Sequence, residues 1–185
     1  MGSRIDLPRA KAHGLRFRSI QPMDHEFLRA LYSSTRAEEM AQVPWPQEQQ
    51  AHFLSMQFEA QHAHYQRHYS DADFWVIERD DVPAGRLYLG EMEDELRLID
   101  IALMPEHRGK GLGTAMLCDV MGAAADRGKA VRAHVEKTNP ARRLYARLGY
   151  RVIEDKQIYD LLEWHPERGA HAIMPLPQVA QDHVN

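Results

Sequence analysis

The chain has 185 residues, 44% apolar and 27% charged, the balance of one globular domain with a sizeable core. Its formal charge of −4 gives no electrostatic footprint for nucleic acid or an anionic membrane, so neither is expected as a partner. A single cysteine, Cys118, excludes an intrachain disulfide; no apolar run approaches about 18 residues, the start is polar, and the expected location is cytoplasmic.

Residues 1–14 carry no period and read as an N-terminal tail. "LRFRSI" (15–20) alternates and predicts a first strand. "PMDHEFLRALYSSTRAEEM" (22–40) places Phe27, Leu28, Leu31 and Tyr32 at helical spacing. "VPWP" (43–46) interrupts it, because each proline disfavours helix at the residue before it. A second helical period runs over 47–69 through Phe53, Leu54, Phe58 and Tyr65. "FWVIERD" and "PAGRLYLGEME" predict two strands around a turn at Asp80, Asp81 and Pro83. "ELRLIDIALM" (95–104) is a longer, nearly continuous apolar strand of the kind buried on both faces.

A glycine-rich loop, "HRGKGLG" (107–113), comes next, then a helix from about Thr114 to Arg127. Leu112, Met116, Val120 and Ala124 fall four apart on one stripe, and Gly128 suits the C-terminal cap. "AVRAHVE" (130–136) alternates as a strand. "TNPARRLYARLGY" (138–150) reads as a short helix, with Pro140 in its first turn and Gly149 past its end. "YRVIED" and "QIYDLLEW" predict a closing pair of strands. Residues 166–185 have no clear period and read as a C-terminal tail, which leaves one domain over 15–165.

A strand, a glycine loop and a helix together form an anion holder. The first N–H groups of a helix lack intrahelical partners, and the aligned peptide dipoles leave positive charge there. Gly109, Gly111 and Gly113 let the backbone approach a ligand, while Arg108 and Lys110 add formal charge. The spacing fits neither the dinucleotide fingerprint nor a P-loop, since no Gly-Lys-Ser/Thr closes it. Arg108-Gly109-Lys110-Gly111-Leu112-Gly113 resembles the Arg/Gln-x-x-Gly-x-Gly coenzyme A loop of the GNAT acetyltransferase superfamily. About 25 residues on, "HVEKTNPARRLYARLGY" is similar to the second signature of that superfamily: a strand, an asparagine, a helix with a tyrosine, then Leu-Gly-Tyr.

The resemblance implies an α/β fold whose mixed, mostly antiparallel sheet is splayed at the acetyl-CoA site and flanked by helices on both faces. It implies transfer of an acetyl group from acetyl-CoA to a primary amine by direct attack in a ternary complex. The coenzyme would lie on Leu103, Arg108, Gly109, Lys110, Gly111, Leu112, Gly113 and Thr114, with Asn139, Arg142 and Tyr145 beyond. Tyr145 stands at the superfamily's tyrosine position and is the expected general acid for the leaving thiolate. For the base, histone-type relatives carry a glutamate where this chain has Arg97. The ribosomal-protein type carries one on the next strand, where His134 stands; Glu91 is the other candidate, and a base acting through water, or none if the amine arrives neutral, is the remaining alternative.

Other features read plainly. His62, His64 and His68 lack the third ligand set that zinc needs, so no metal is expected. Cys118 sits inside a helix as a small core residue. The acceptor wall, "EEMAQVPWPQEQQ", follows no spacing rule; Trp45 is either a rigid wall or a plug, and Glu38, Glu39 and Glu48 are surface residues or a lure for a cationic amine. The acceptor amine and a homodimer stay open. A non-catalytic acyl-CoA-binding sensor or interaction module is the alternative.

Overall fold

The computed structural model describes residues 5–169. Its first element overturns an expectation, because the stretch read as a tail contains a packed helix, α1 (Pro8–Ala12). Leu7 and Ala10 lie fully inside the main core. Pro8 presets helical φ at the first turn. The partner that fixes the helix is Asp119, buried on α5 (Leu112–Asp126), which accepts the N–H groups of Arg9 at 3.2 Å and Ala10 at 2.9 Å. The Arg9 side chain completes the contact at 3.1 Å.

After β1 (Leu15–Ser19) the expected single helix over 22–40 is divided into a 3₁₀ turn at Pro22–Asp24, α2 (His25–Thr35) and a short α3 (Ala37–Met40). The break has a local cause. Ser34 and Thr35 turn their hydroxyls back onto the carbonyls of Leu31 and Tyr32, at 2.7 and 2.6 Å, competing with helix continuation. α4 (Gln47–His68) follows the prolines as the second period predicts. β2 (Asp73–Arg79) and β3 (Val82–Glu91) form a hairpin whose two loop residues, Asp80 and Asp81, have φ of 53° and 63°. Positive φ at both positions gives the loop the twist of its strands.

β4 (Glu95–Leu103), α5, β5 (Ala130–Glu136), α6 (Arg142–Arg147), β6 (Arg151–Lys156), β7 (Tyr159–Trp164) and the short α7 (Pro166–Gly169) complete the chain. Residues 170–185 of the expected C-terminal tail lie outside the described residues. The strand order is β1-β2-β3-β4-β5-β7-β6, and only β4 with β5 is parallel, the pair that α5 crosses between. α5 ends at Gly128 in a left-handed conformation, with Lys129 N–H on the Ala124 carbonyl and Gly128 N–H on that of Ala125.

The main core joins α1, α5 and α6 to one sheet face, with Leu87, Leu89, Leu96 and Trp164 buried in it. A second cluster, built on Leu28, Tyr32, Leu54 and Phe58, lies under α2 and α4. Tyr88, between Leu87 and Leu89 on β3, packs edge-on against Tyr65 of α4, so α4 covers the opposite face.

The feature that positions the site is the parting of β4 and β5. They pair only between Glu95–Leu98 and Ala130–Ala133. At that point β4 also carries a bulge: Leu89 faces Leu98 while Tyr88 faces Asp100, leaving Ile99 as the extra residue. Burial falls with the loss of the neighbour. Leu96 and Leu98 are buried, whereas Ile99 to Leu103 are only partly so. The strand expected to be buried on both faces is therefore so only in its first half.

Candidate active site

The glycine loop leaves β4 through a 3₁₀ turn at Pro105–His107. Gly109 and Gly111 have φ of 70° and 78°, a region where a Cβ costs free energy. A Cβ built at either would meet nothing within 4 Å, so the backbone conformation, and not crowding, calls for glycine there. Gly111 is the N-cap of α5 and no described side chain caps that helix. The Ala115 N–H makes the first helical bond, to Gly111, so the N–H groups of Leu112, Gly113 and Thr114 precede the ladder. Lys110 is exposed on the loop. Arg108 instead reaches sideways, with Nε on the Leu103 carbonyl at 2.8 Å and Nη2 on Ser34 Oγ at 2.9 Å.

Strand alternation identifies the groups lining the splay. The Met104 N–H bonds the Ala84 carbonyl beside β3. The N–H groups of Leu103 and Ile101 therefore face the other way, onto the edge that β5 has left. The same reasoning puts the Leu103 carbonyl on that edge, where Arg108 finds it.

Across the splay, Asn139 Oδ1 accepts the Ala141 N–H at 2.9 Å and shapes the entry to α6. Arg142 is anchored to Asp160 of β7 at 2.7 Å, and its Nη1 is buried with no hydrogen-bond partner. Tyr145 is 4% exposed, edge-on to Tyr150 at 5.1 Å, and its hydroxyl makes no hydrogen bond to a described residue. Burial, followed by the charge of Asp100 at the β4 bulge, pushes its phenol well above the ordinary tyrosine range. It stays protonated at neutral pH.

The two expected bases fare differently. Glu91 ends β3 opposite Leu96, at the start of β4, whereas the glycine loop follows the end of β4. Lys129 at 2.9 Å and Arg127 at 3.5 Å hold it, and the Lys129 hydrogen bond keeps its carboxyl below the usual range. The structure does not bring Glu91 to the other site residues. His134 does border the splay, one residue beyond the last β4–β5 pair. Its Nδ1, however, lies 3.1 Å from Arg97 Nη1. A guanidinium can only donate, so Nδ1 accepts and the neutral ring carries its proton on Nε2. The lone pair that a base needs is occupied. Partial burial, then the charges of Arg97 and Lys156, also lowers the imidazole below its usual range.

Arg97 and His134 line a cavity of about 520 Å³ bounded by Tyr32, Arg36, Tyr65 and Ile99, on the α2–α4 side of the splay. Beneath it lies an ion pair that sequence reading missed: Arg86, 3% exposed, holds Asp100 at 2.7 Å and Gln61 at 3.0 Å. Asp100 and Gln61 stand 14 and 25 residues from Arg86, on two other elements, so no local pattern announces the arrangement. The Arg36 guanidinium is clamped on Glu136 at 2.6 and 2.8 Å, a link between α2 and β5 that sequence spacing also conceals. Trp45 stacks edge-on against Phe53 at 5.4 Å and is 39% exposed. His64 stacks on His68 with 4.0 Å between ring centroids. Among the described residues no group of three or more His, Cys, Asp or Glu side chains is placed to hold a metal ion, and no helix is long and apolar enough to cross a membrane. Cys118 is buried in the main core.

Comparison with known proteins gives a family and a fold. The acetyltransferase (GNAT) family description matches residues 30–150. No curated protein matches the sequence. Among solved structures, the PaiA N-acetyltransferase of Thermoplasma acidophilum, crystallised with coenzyme A, aligns at a TM-score of 0.62 and 17% identity, over 82% of this chain and 98% of that one. The spermidine N-acetyltransferase of Vibrio cholerae, with CoA and spermine, aligns at 0.55 and 17%, over 85% and 99%. FdhC, a nucleotide-linked sugar GNAT, aligns at 0.57 and 15%, over 85% and 89%. At these identities the likeness is one of fold.

Proposed function

The chain belongs to the GNAT acetyltransferase family, and on that premise we propose that it moves an acetyl group from acetyl-CoA to the primary amine of an acceptor held in the cavity beside Ile99. The single observation that carries the reading is the join of an open glycine loop to an unpaired strand edge, within one continuous segment of β4 and α5. Residues 15–165 form the catalytic domain, with α1 fastened to it through Asp119. The protein works in the cytoplasm.

Bound acetyl-CoA supplies the thioester, and the rest of the chemistry falls to the chain. Leu112, Gly113 and Thr114 offer N–H groups to the pyrophosphate, with Arg108 and Lys110 beside them. Asn139, ahead of α6, and Arg142, in its first turn, flank the coenzyme, where the spare Nη1 of Arg142 offers a donor. The outward N–H groups of Ile101 and Leu103 hold the pantetheine and steady the carbonyl oxygen as it gains charge. One such preorganised donor lowers a barrier by about 3 kcal/mol. Tyr145, protonated and with no competing hydrogen bond to a described residue, donates to the departing thiolate. The acceptor enters from the α2–α4 side and attacks directly. With the His134 lone pair occupied and Glu91 remote, its ammonium proton leaves to water in the open cavity.

The presence of Tyr145, a protonated phenol at the superfamily's tyrosine position, supports an enzyme over an acyl-CoA-binding module that performs no chemistry. Free-thiol release from acetyl-CoA, measured against a panel of primary amines, decides between them. Turnover with at least one amine is expected. Tight acetyl-CoA binding without thiol release from any amine would overturn the transferase reading.

A further inference from the structure

We propose that the acceptor is a compact amine bearing its own anionic group, a carboxylate or phosphate, which Arg97 and His134 hold beside the β4 bulge. This rests on the transferase reading and adds a substrate class to it.

The first observation is the sign of the charge around the cavity. Its ionisable lining comprises Arg36, Arg97, Lys156, His64 and His134 with four tyrosines, and none of the lining residues is a carboxylate. A cavity for a polyamine or a lysine side chain needs acidic groups to receive the second cation. This one would repel it.

The second observation is where the carboxylates stand. Arg36 is neutralised by its clamp on Glu136 and offers little net charge. Arg97 leans on Glu95 through Nε at 2.6 Å and Nη2 at 2.5 Å, which with the His134 contact leaves one N–H on each terminal nitrogen, but Glu95 is 2% exposed, does not line the cavity and is shared with Arg132 at 2.5 Å. Arg132 is held as well by Glu163 at 2.8 Å and Asp94 at 3.2 Å, and none of these carboxylates lines the cavity. Arg97 has five N–H groups, and those not aimed at Glu95 or His134 remain for a ligand. Lys156, on β6, pairs with Glu154 at 3.3 Å in solvent, where a surface pair is weakly held.

The third observation is the tautomer. By occupying Nδ1, Arg97 fixes the His134 proton on Nε2 and makes this ring a hydrogen-bond donor. The pair is a guanidinium and an imidazole N–H side by side, which suits an anion and poorly serves proton abstraction. Arg97 and Ile99 both line the cavity and stand two residues apart on β4, roughly 7 Å along the strand. An acceptor with its amine at the bulge and its anion on Arg97 therefore needs only a few bonds between them.

The test compares matched amines in the thiol-release assay with the full-length protein: L-phenylalanine against phenethylamine and L-phenylalaninamide, D-glucosamine 6-phosphate against D-glucosamine, and spermidine. The proposal expects kcat/KM at least tenfold higher for the anion-bearing member of one pair; the pair that responds tells carboxylate from phosphate. Arg97→Gln should cut that preference through KM while acetyl-CoA affinity stays unchanged. Glu95 keeps Arg132, so the variant should fold, and Lys156→Gln provides a second, exposed substitution acting in the same direction. Equal or better turnover of spermidine or of the uncharged partners would overturn the proposal and leave the transferase reading intact. If no amine turns over, the transferase reading fails and a binding readout decides this one. His134, faced by Arg97, Lys156, Glu154 and Glu95, should titrate at higher pH when L-phenylalanine or glucosamine 6-phosphate is added to the CoA-bound protein. A titration unmoved by either anion would then sink it.

Discussion

Replacing Gly111 by aspartate, with asparagine as its uncharged twin, separates what the loop's shape contributes from what its charge contributes. At φ 78° a side chain costs about 1–2 kcal/mol, and Asn and Asp fall at the low end because they visit this region most readily. No atom lies within 4 Å of the new Cβ, so packing adds nothing. An aspartate at the N-terminus of α5 recovers roughly 0.3–1 kcal/mol from the helix dipole. Both variants should therefore fold, melting within a few degrees of the parent. Binding should differ sharply. A carboxylate about 5 Å from a phosphate charge is repelled by about 3 kcal/mol at an effective dielectric of about 20. Each 1.36 kcal/mol is a factor of ten, so aspartate should weaken acetyl-CoA at least about 100-fold relative to asparagine, less so as salt is raised. Isothermal titration calorimetry of the two variants reads this directly. Equal affinities would refute the placement of the pyrophosphate on this loop.

Tyr145→Phe removes a hydroxyl that makes no hydrogen bond to a described residue, so the melting temperature and acetyl-CoA affinity should barely move, while kcat falls about 10²–10⁴-fold; parallel losses in stability and binding would instead mark a packing residue. Asp119→Ala strips two backbone N–H groups and Arg9 of their buried partner and should cost about 3–5 kcal/mol, read as a lower urea midpoint. His134 should titrate below 6.5 by proton NMR, and Arg97→Gln should raise its midpoint. Because its folded pKa lies below the unfolded one, the unfolded chain binds more protons between the two. Its contribution to stability is then whole above about pH 6.5 and is lost on acidification through the folded pKa, which acid-unfolding of His134→Gln should show as a shallower slope.

The elements legible in the sequence are those whose signals are local. Period two in "LRFRSI" and "AVRAHVE", proline breaks around Trp45, and glycines after α5 and α6 act within a few residues, and the strands and long helices came out near their expected bounds. The glycine loop was legible for the same reason, since its φ requirements and charges are written in seven consecutive positions. Local back-bonding by Ser34 and Thr35 was legible in principle, yet an apolar stripe that runs on past it conceals the break. Tertiary structure alone decided the rest. α1 is a helix because Asp119 meets it from 110 residues away. Arg86 and Asp100 pair because neighbouring strands set them opposite each other at the bulge. His134 faces Arg97 across a parallel pair that a whole helix must first connect, and that one contact sets the Nδ1 lone pair of a residue read as a base against a guanidinium. A side chain's type is local, but its free lone pair depends on which neighbour the fold brings to it.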